Sequence, residues 1–315
     1  MGVEKRAPLS LKCIRFAFQA LGRPFPGLVG RVAHALWFRP AVLGQARLPS
    51  HREFPGARTV RIPFASGWVT ARLLGSSGPA VAFVHGWGGS STQFSAFWAG
   101  CLERGFRVIA LDLPAHGLSS GHTTDIAAMA HALEVALGSL GPAEALVTHS
   151  LGATCAMLAL NRGLAVRCAV CLAPPAGFAE MVAKVGEVFH YPVGVVAALR
   201  RLLEKDFGPD VWSTFSTHEN AKGLRLPGLV IHDRHDRWVP YAEGKLVSDA
   251  WSGSRFLTTE DLGHYRLLFD PIVIRETISF LSDHTGRPAA PAPALGERVI
   301  PAPGIEADGE GLATT

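Results

Sequence analysis

Ala145-Leu146-Val147-Thr148-His149-Ser150-Leu151-Gly152-Ala153 is the stretch whose reading decides the fold. The three apolar residues at its start read as a buried strand, and the run from Ala153 to Leu160 reads as a helix. A serine at the apex of strand, sharp turn and helix is the context of a nucleophile elbow. The turn strains the serine backbone and lifts its hydroxyl clear of the sheet. Small residues are needed two positions to either side: Gly152 supplies one, and Thr148 stands where a glycine usually sits. Taken alone, Ser-x-Gly after an apolar run is weak, because serine also caps helices.

Three further segments arrive in the order such a site needs. Val81-Ala82-Phe83-Val84-His85-Gly86-Trp87-Gly88-Gly89 is a short strand ending in a glycine-rich turn. Ile231-His232-Asp233-Arg234-His235-Asp236-Arg237-Trp238-Val239-Pro240 puts carboxylates just past another apolar strand, and Leu262-Gly263-His264-Tyr265 puts a histidine on a late loop. His264 lies 28 residues beyond Asp236, room for one helix and one strand, so both side chains can return to the same sheet edge. With these pieces, and with Asp112-Leu113-Pro114-Ala115-His116-Gly117-Leu118-Ser119, the chain resembles the esterase/lipase-like bacterial serine hydrolases of the α/β-hydrolase fold. The order Ser, Asp, His is the order of that fold. The matching pieces span roughly residues 60 to 283. They are specific for the fold and say much less about substrate.

The resemblance implies a catalytic triad of Ser150, Asp236 and His264. His264 takes the serine proton, and Asp236 holds the histidine tautomer and stabilises the imidazolium. The backbone N–H groups of Trp87 and Leu151 are the expected oxyanion hole; Leu151 also opens a helix, whose dipole favours negative charge. Asp233 competes with Asp236, but the family pattern sets the acid three residues before Val239-Pro240 and so selects Asp236. His232, Asp233, His235 and Asp236 also read as a metal cluster; strand alternation sends neighbours to opposite faces and no second ligand set is evident, so no metal or cofactor is assigned. His149 reads as packing, His85 as support for the glycine-rich turn, Asp112 as a tie between loops, and His116 as a structural residue near the cleft rim.

Composition fits this reading. The 315 residues, 48% of them hydrophobic, suffice for one large core plus an insertion. Five scattered cysteines argue against a disulfide framework and for a reducing cytoplasm, and Cys168 and Cys171 fall in a core strand. No run reaches the roughly 18 apolar residues that span a bilayer, and Lys12 and Arg15 interrupt the apolar run from Leu9 to Leu21, against a signal peptide. Residues 1 to 61 nonetheless carry eleven Lys or Arg and only two glutamates, Glu4 and Glu53. A basic amphipathic segment of this kind either lies peripherally on an anionic membrane or packs on the hydrolase core with its arginines in water. Packing is the stronger reading. The net charge of +4 and the lack of a motif give no case for nucleic acid.

The expected architecture is α/β: a mostly parallel twisted sheet with helices on both faces and a helical cap insertion. Residues 1–56 form the basic N-terminal segment and 57–285 the hydrolase domain, with the cap at about 175–224. Residues 286–315, rich in Pro and Ala, read as a disordered tail. The expected activity is hydrolysis of a small-molecule carboxylic ester or thioester through an acyl-serine. The rivals are an acyltransferase using the same triad and a non-catalytic binding protein on the same scaffold.

Overall fold

The computed structural model describes residues 9–43 and 54–285; the Pro/Ala-rich tail and the ends of the N-terminal segment lie outside them. Three helices come first: α1 (Leu9–Gly22), α2 (Pro26–Trp37) and α3 (Pro40–Leu43). The hairpin β1 (Arg58–Phe64) and β2 (Gly67–Leu74) follows, turning at Ala65 and Ser66. Strands and helices then alternate: β3 (Ala80–Val84), α4 (Ser95–Glu103), β4 (Arg107–Asp112), α5 (Ile126–Leu140), β5 (Ala145–His149), α6 (Leu151–Asn161) and β6 (Cys168–Leu172). Four helices interrupt the alternation: α7 (Phe178–Phe189), α8 (Val193–Phe207), α9 (Val211–Thr214) and α10 (Thr217–Ala221). It resumes with β7 (Gly228–Asp233), α11 (Tyr241–Ala250), β8 (Ser254–Thr259), α12 (Gly263–Arg266) and α13 (Pro271–His284).

The eight strands form one sheet in the order β1-β2-β4-β3-β5-β6-β7-β8. β2 runs antiparallel to both neighbours, and the pairs from β4 across to β8 are parallel. The fold is therefore the mostly parallel α/β sheet that the sequence implies. In β3 alternate side chains divide between two cores. Ala82 and Val84 join Met129 and Leu133 of α5 and Val247 of α11, while Val81 and Phe83 join Phe97 and Trp98 of α4 and Phe280 of α13. A strand buried on both faces has to read as a continuous apolar run, which is why these segments show no polar alternation. Asp125 caps α5 by accepting the Ala128 amide, and Asp270 caps α13 through the Ile272 and Val273 amides.

Cys101, Cys155, Cys168 and Cys171 are buried free thiols, and only Cys13, on α1, is exposed. Burial pushes the thiols of Cys101, Cys168 and Cys171 up to about 12, and raises that of Cys155 as well.

The N-terminal helices pack on the hydrolase body, mainly through α7 and α8, the helices between β6 and β7, with a further tie where the Thr124 amide before α5 donates to the Phe38 carbonyl at 2.9 Å. Gly30 lies directly against Ala198, Trp37 meets the Phe178 ring edge-on at 5.8 Å, and the Arg15 Nε donates to the Val188 carbonyl at 2.7 Å. Arg15 is thus half-buried and bonded, not simply turned to water.

Candidate active site

Ser150 joins β5 to α6 at φ 51° and ψ −126°. A non-glycine residue at such angles carries on the order of 1–3 kcal/mol of strain and persists only where its surroundings hold it. Here the Ser150 amide donates to the Leu172 carbonyl at 2.9 Å, and two glycines admit the turn. A Cβ on Gly86 would stand 2.9 Å from the Ser150 Cβ. A Cβ on Gly152 would fall 2.6 Å from the His85 carbonyl oxygen and closer still to that of Val84. Both obstacles at Gly152 are backbone and cannot swing away. Gly152→Ala is therefore expected to cost about 1–3 kcal/mol of stability by overpacking, read as a lower midpoint in urea unfolding. An unchanged midpoint would show that α6 can retreat from β3.

Thr148 is accommodated without crowding. It is fully buried in β5, and its hydroxyl donates to the Val170 carbonyl of β6 at 3.1 Å. The position asks for a side chain that satisfies itself inside the sheet, and threonine does so.

In the glycine-rich turn after β3, Gly88 N–H donates to His116 Nε2 at 3.0 Å and Gly89 N–H to the Gly86 carbonyl at 3.1 Å. The Trp87 N–H has no acceptor among the described residues, and neither has Leu151 N–H, at the first position of α6, where an intrahelical acceptor is impossible. His85 accepts the Leu113 amide on Nε2 and donates from Nδ1 to the Gly86 carbonyl, so it braces the turn as expected. Asp112 ties loops together, accepting the amides of Ser91 and Leu118 and the Arg72 guanidinium. His116 differs from the cleft-rim residue of the sequence reading: it is buried beneath the turn, and burial, reinforced by His85, drops its imidazole to about 3.

His264, on α12, and Asp236, past β7, meet with Nδ1 donating to Oδ2 at 2.7 Å, both side chains buried. Asp236 Oδ1 accepts the amides of Trp238 and Val239, which anchors the carboxylate in its own turn. Burial alone would raise the Asp236 carboxyl; hydrogen bonds from His232 and His264 and the Val239 amide outweigh it and hold the group below the ordinary carboxylate range. Asp233 takes another part. It accepts from the His235 amide, the Thr259 hydroxyl and the Leu262 amide, pinning the loop that carries His264.

Two contacts are not readable from the sequence. His149 Nε2 donates to the His264 carbonyl at 2.9 Å, and Gln93 Nε2 donates to His149 Nδ1 at 3.2 Å. Burial and the neighbouring His264 lower His149 to about 3, so a neutral ring with one fixed tautomer supports the His264 loop. His149 is thus more than packing. His232 Nε2 donates to the Val239 carbonyl at 3.0 Å and lies 3.5 Å from Asp236 Oδ2, a second imidazole on the same carboxylate. Among the described residues no group of His, Cys, Asp and Glu is arranged to hold a metal ion.

Ser150, Leu151, Trp87 and His264 line one cavity of about 200 Å³. No hydrogen bond yet joins Ser150 Oγ to His264, a contact that in unliganded sites commonly tightens only with substrate. The remaining wall is mostly apolar, with Trp37, Phe178, Met181, Val185 and Phe189 from α2 and α7, and Trp238 opposite; Asp125, Glu180, Lys184 and Glu243 supply polar points.

Comparison with known proteins agrees with this architecture. A family model described as the α/β-hydrolase fold matches residues 79–204. Protein phosphatase methylesterase 1 of Rattus norvegicus is 29% identical over 120 residues, a match covering 35% of this chain and 31% of the rat protein. The chain thus spans about a third of the length of the curated relatives that it matches. Among solved structures, an esterase from Rhodococcus superposes with a TM-score of 0.55 at 21% identity, over 73% of this chain and 99% of its own. An esterase from Exiguobacterium antarcticum gives 0.54 at 18% identity over 71% and 99%. A meta-cleavage product hydrolase from Pseudomonas fluorescens gives 0.54 at 15% over 71% and 97%. With the eight-stranded sheet, the elbow after β5 and these likenesses together, the chain is a protein of the α/β-hydrolase fold.

Proposed function

We propose that this protein is a serine hydrolase that cleaves a carboxylic ester through an acyl-Ser150 intermediate. The observation that carries the reading is the strained Ser150, opening into the same cavity as a histidine whose Nδ1–H is already committed to Asp236. That commitment leaves His264 Nε2 as the lone-pair nitrogen, the form a general base needs. Ser150 Oγ attacks the ester carbonyl as its proton passes to His264 Nε2, and the oxyanion takes the unclaimed N–H groups of Trp87 and Leu151. Collapse breaks the ester bond, and His264 returns the proton to the departing alcohol. Water then attacks the acyl-serine with His264 again as base, releasing the carboxylic acid and restoring Ser150. The rat methylesterase and the bacterial esterases act on esters by name, which supports the substrate class.

The apolar wall favours an apolar acyl or alcohol group. Each methylene removed from water contributes about 0.8 kcal/mol. The test is hydrolysis of p-nitrophenyl esters of increasing acyl length beside labelling with a fluorophosphonate probe. The expected result is a kcat/KM that climbs about fourfold per methylene until the chain outgrows the cavity, with the probe attached to Ser150. A protein that neither hydrolyses any ester nor takes the probe is not a serine esterase.

A further inference from the structure

The first two helices bury one face and leave another, apolar and basic, without a partner. On α1 the residues turned inward are Phe18 and Gly22, against Phe189, Tyr191, Pro192 just before α8 and Val195 within it. The outward residues include Phe16, 72% exposed, and Leu21, 54% exposed. On α2 the inward residues are Val29, Gly30 and Ala33. At its N-terminal end and along its outer side, Phe25, Leu28 and Val32 are 57%, 62% and 48% exposed and recur at the helical spacing of three and four that makes a single stripe. Val193, 86% exposed, adjoins them where Gly194 meets Pro26. Isolated exposed apolar residues are ordinary on a protein surface; a helix pair with this many, while its other side is well packed, is not.

Charge selects the occupant. Residues 9–43 contain Lys12, Arg15, Arg23, Arg31 and Arg39 and no aspartate or glutamate. Lys12, Arg23 and Arg31 are exposed, and no carboxylate among the described residues pairs with them. An apolar stripe between unpaired cations suits a surface that presents anions outside and hydrocarbon beneath. No described helix is long and apolar enough to cross a membrane, so attachment lies in the interfacial plane.

We infer that the outer face of α1 and α2 docks on an anionic lipid bilayer, with Phe25, Leu28 and Val32 entering the headgroup–acyl boundary and Lys12, Arg23 and Arg31 meeting lipid phosphates. The docked face lies one helix away from the site: α1 is bonded to α7 at Val188, and Val188 and Phe189 line the cavity that holds Ser150. Docking is independent of whether Ser150 is catalytic.

The test is co-sedimentation of the full chain with vesicles of phosphatidylcholine alone and with 30% phosphatidylglycerol, at low and at high salt. Expected are binding to the anionic vesicles, release by salt, and little binding to phosphatidylcholine. Each basic side chain near an anionic surface contributes about fivefold in affinity, so Arg23→Glu with Arg31→Glu should weaken binding at least 25-fold. Leu28→Glu should abolish insertion of the apolar stripe. These side chains are exposed, and an unchanged thermal transition would verify that the variants fold. No binding to anionic vesicles overturns the inference. So does equal binding of wild type and charge variants, and so does a stable dimer in solution that Leu28→Glu dissolves while vesicles remain unbound, which would assign the face to a second copy of the chain.

Discussion

Ser150→Ala is expected to lower kcat for ester hydrolysis by about 10⁴- to 10⁶-fold, the largest effect of any single change in this chain. The size follows from the role. On the proposed mechanism no acyl-enzyme forms without the hydroxyl, and what remains is the contribution of binding and of the proposed oxyanion donors, the Trp87 and Leu151 amides. KM should move little, because the hydroxyl joins the substrate only as the carbonyl becomes tetrahedral. The variant should also fold normally: Ser150 Oγ makes no hydrogen bond among the described residues, so alanine leaves no buried partner stranded. Single-turnover kinetics and a thermal melt check both halves. Near-wild-type hydrolysis by a pure Ser150→Ala protein would remove the serine from the mechanism.

Asp236→Asn should cost on the order of 10⁴ in kcat while sparing the fold. An asparagine retains the Oδ1 that accepts the Trp238 and Val239 amides, so the turn after β7 stays closed. Its NH₂, however, stands where Oδ2 accepts from His264 Nδ1. The imidazole then settles with its proton on Nε2 and cannot receive that of Ser150. Asp233→Asn provides the contrast. It weakens the ties to Thr259 and Leu262, so stability should fall while kcat stays within about tenfold. If Asp233→Asn were the crippled enzyme and Asp236→Asn the active one, the assignment of the acid would be reversed.

Most of the architecture was legible because it is written in local patterns. Short runs that are apolar without alternation, as at Ala80–Val84 and Leu229–Ile231, read as strands buried on both sides, and every residue of both is buried. The candidate triad residues Ser150 and Asp236 stood out because each follows a buried apolar strand, whereas His264 follows the half-exposed β8 and was marked by its Gly-His pair and its place in the chain order. The contacts that hold the triad loop were not visible. His149 reaches the His264 carbonyl across 115 residues, and Gln93 reaches His149 across 56, from a 3-10 turn with no motif of its own. The reversal that sets β4 between β2 and β3 leaves no local mark either, and neither does the choice of α7 and α8 as the seat for the N-terminal helices. An amphipathic pattern states that a face must be covered and is silent about what covers it.

The distribution of thiols gives the chain a chemical handle that requires no engineering. Four of the five cysteines are sealed in the core, with thiols too weakly acidic to ionise near neutrality, and the fifth, Cys13, stands exposed on α1 between Lys12 and Ile14. A maleimide dye whose emission responds to polarity should therefore attach to native protein at one address. That address lies on the very helix whose surroundings change when the protein leaves water for lipid, so the unmodified sequence already carries the place for its own optical reporter.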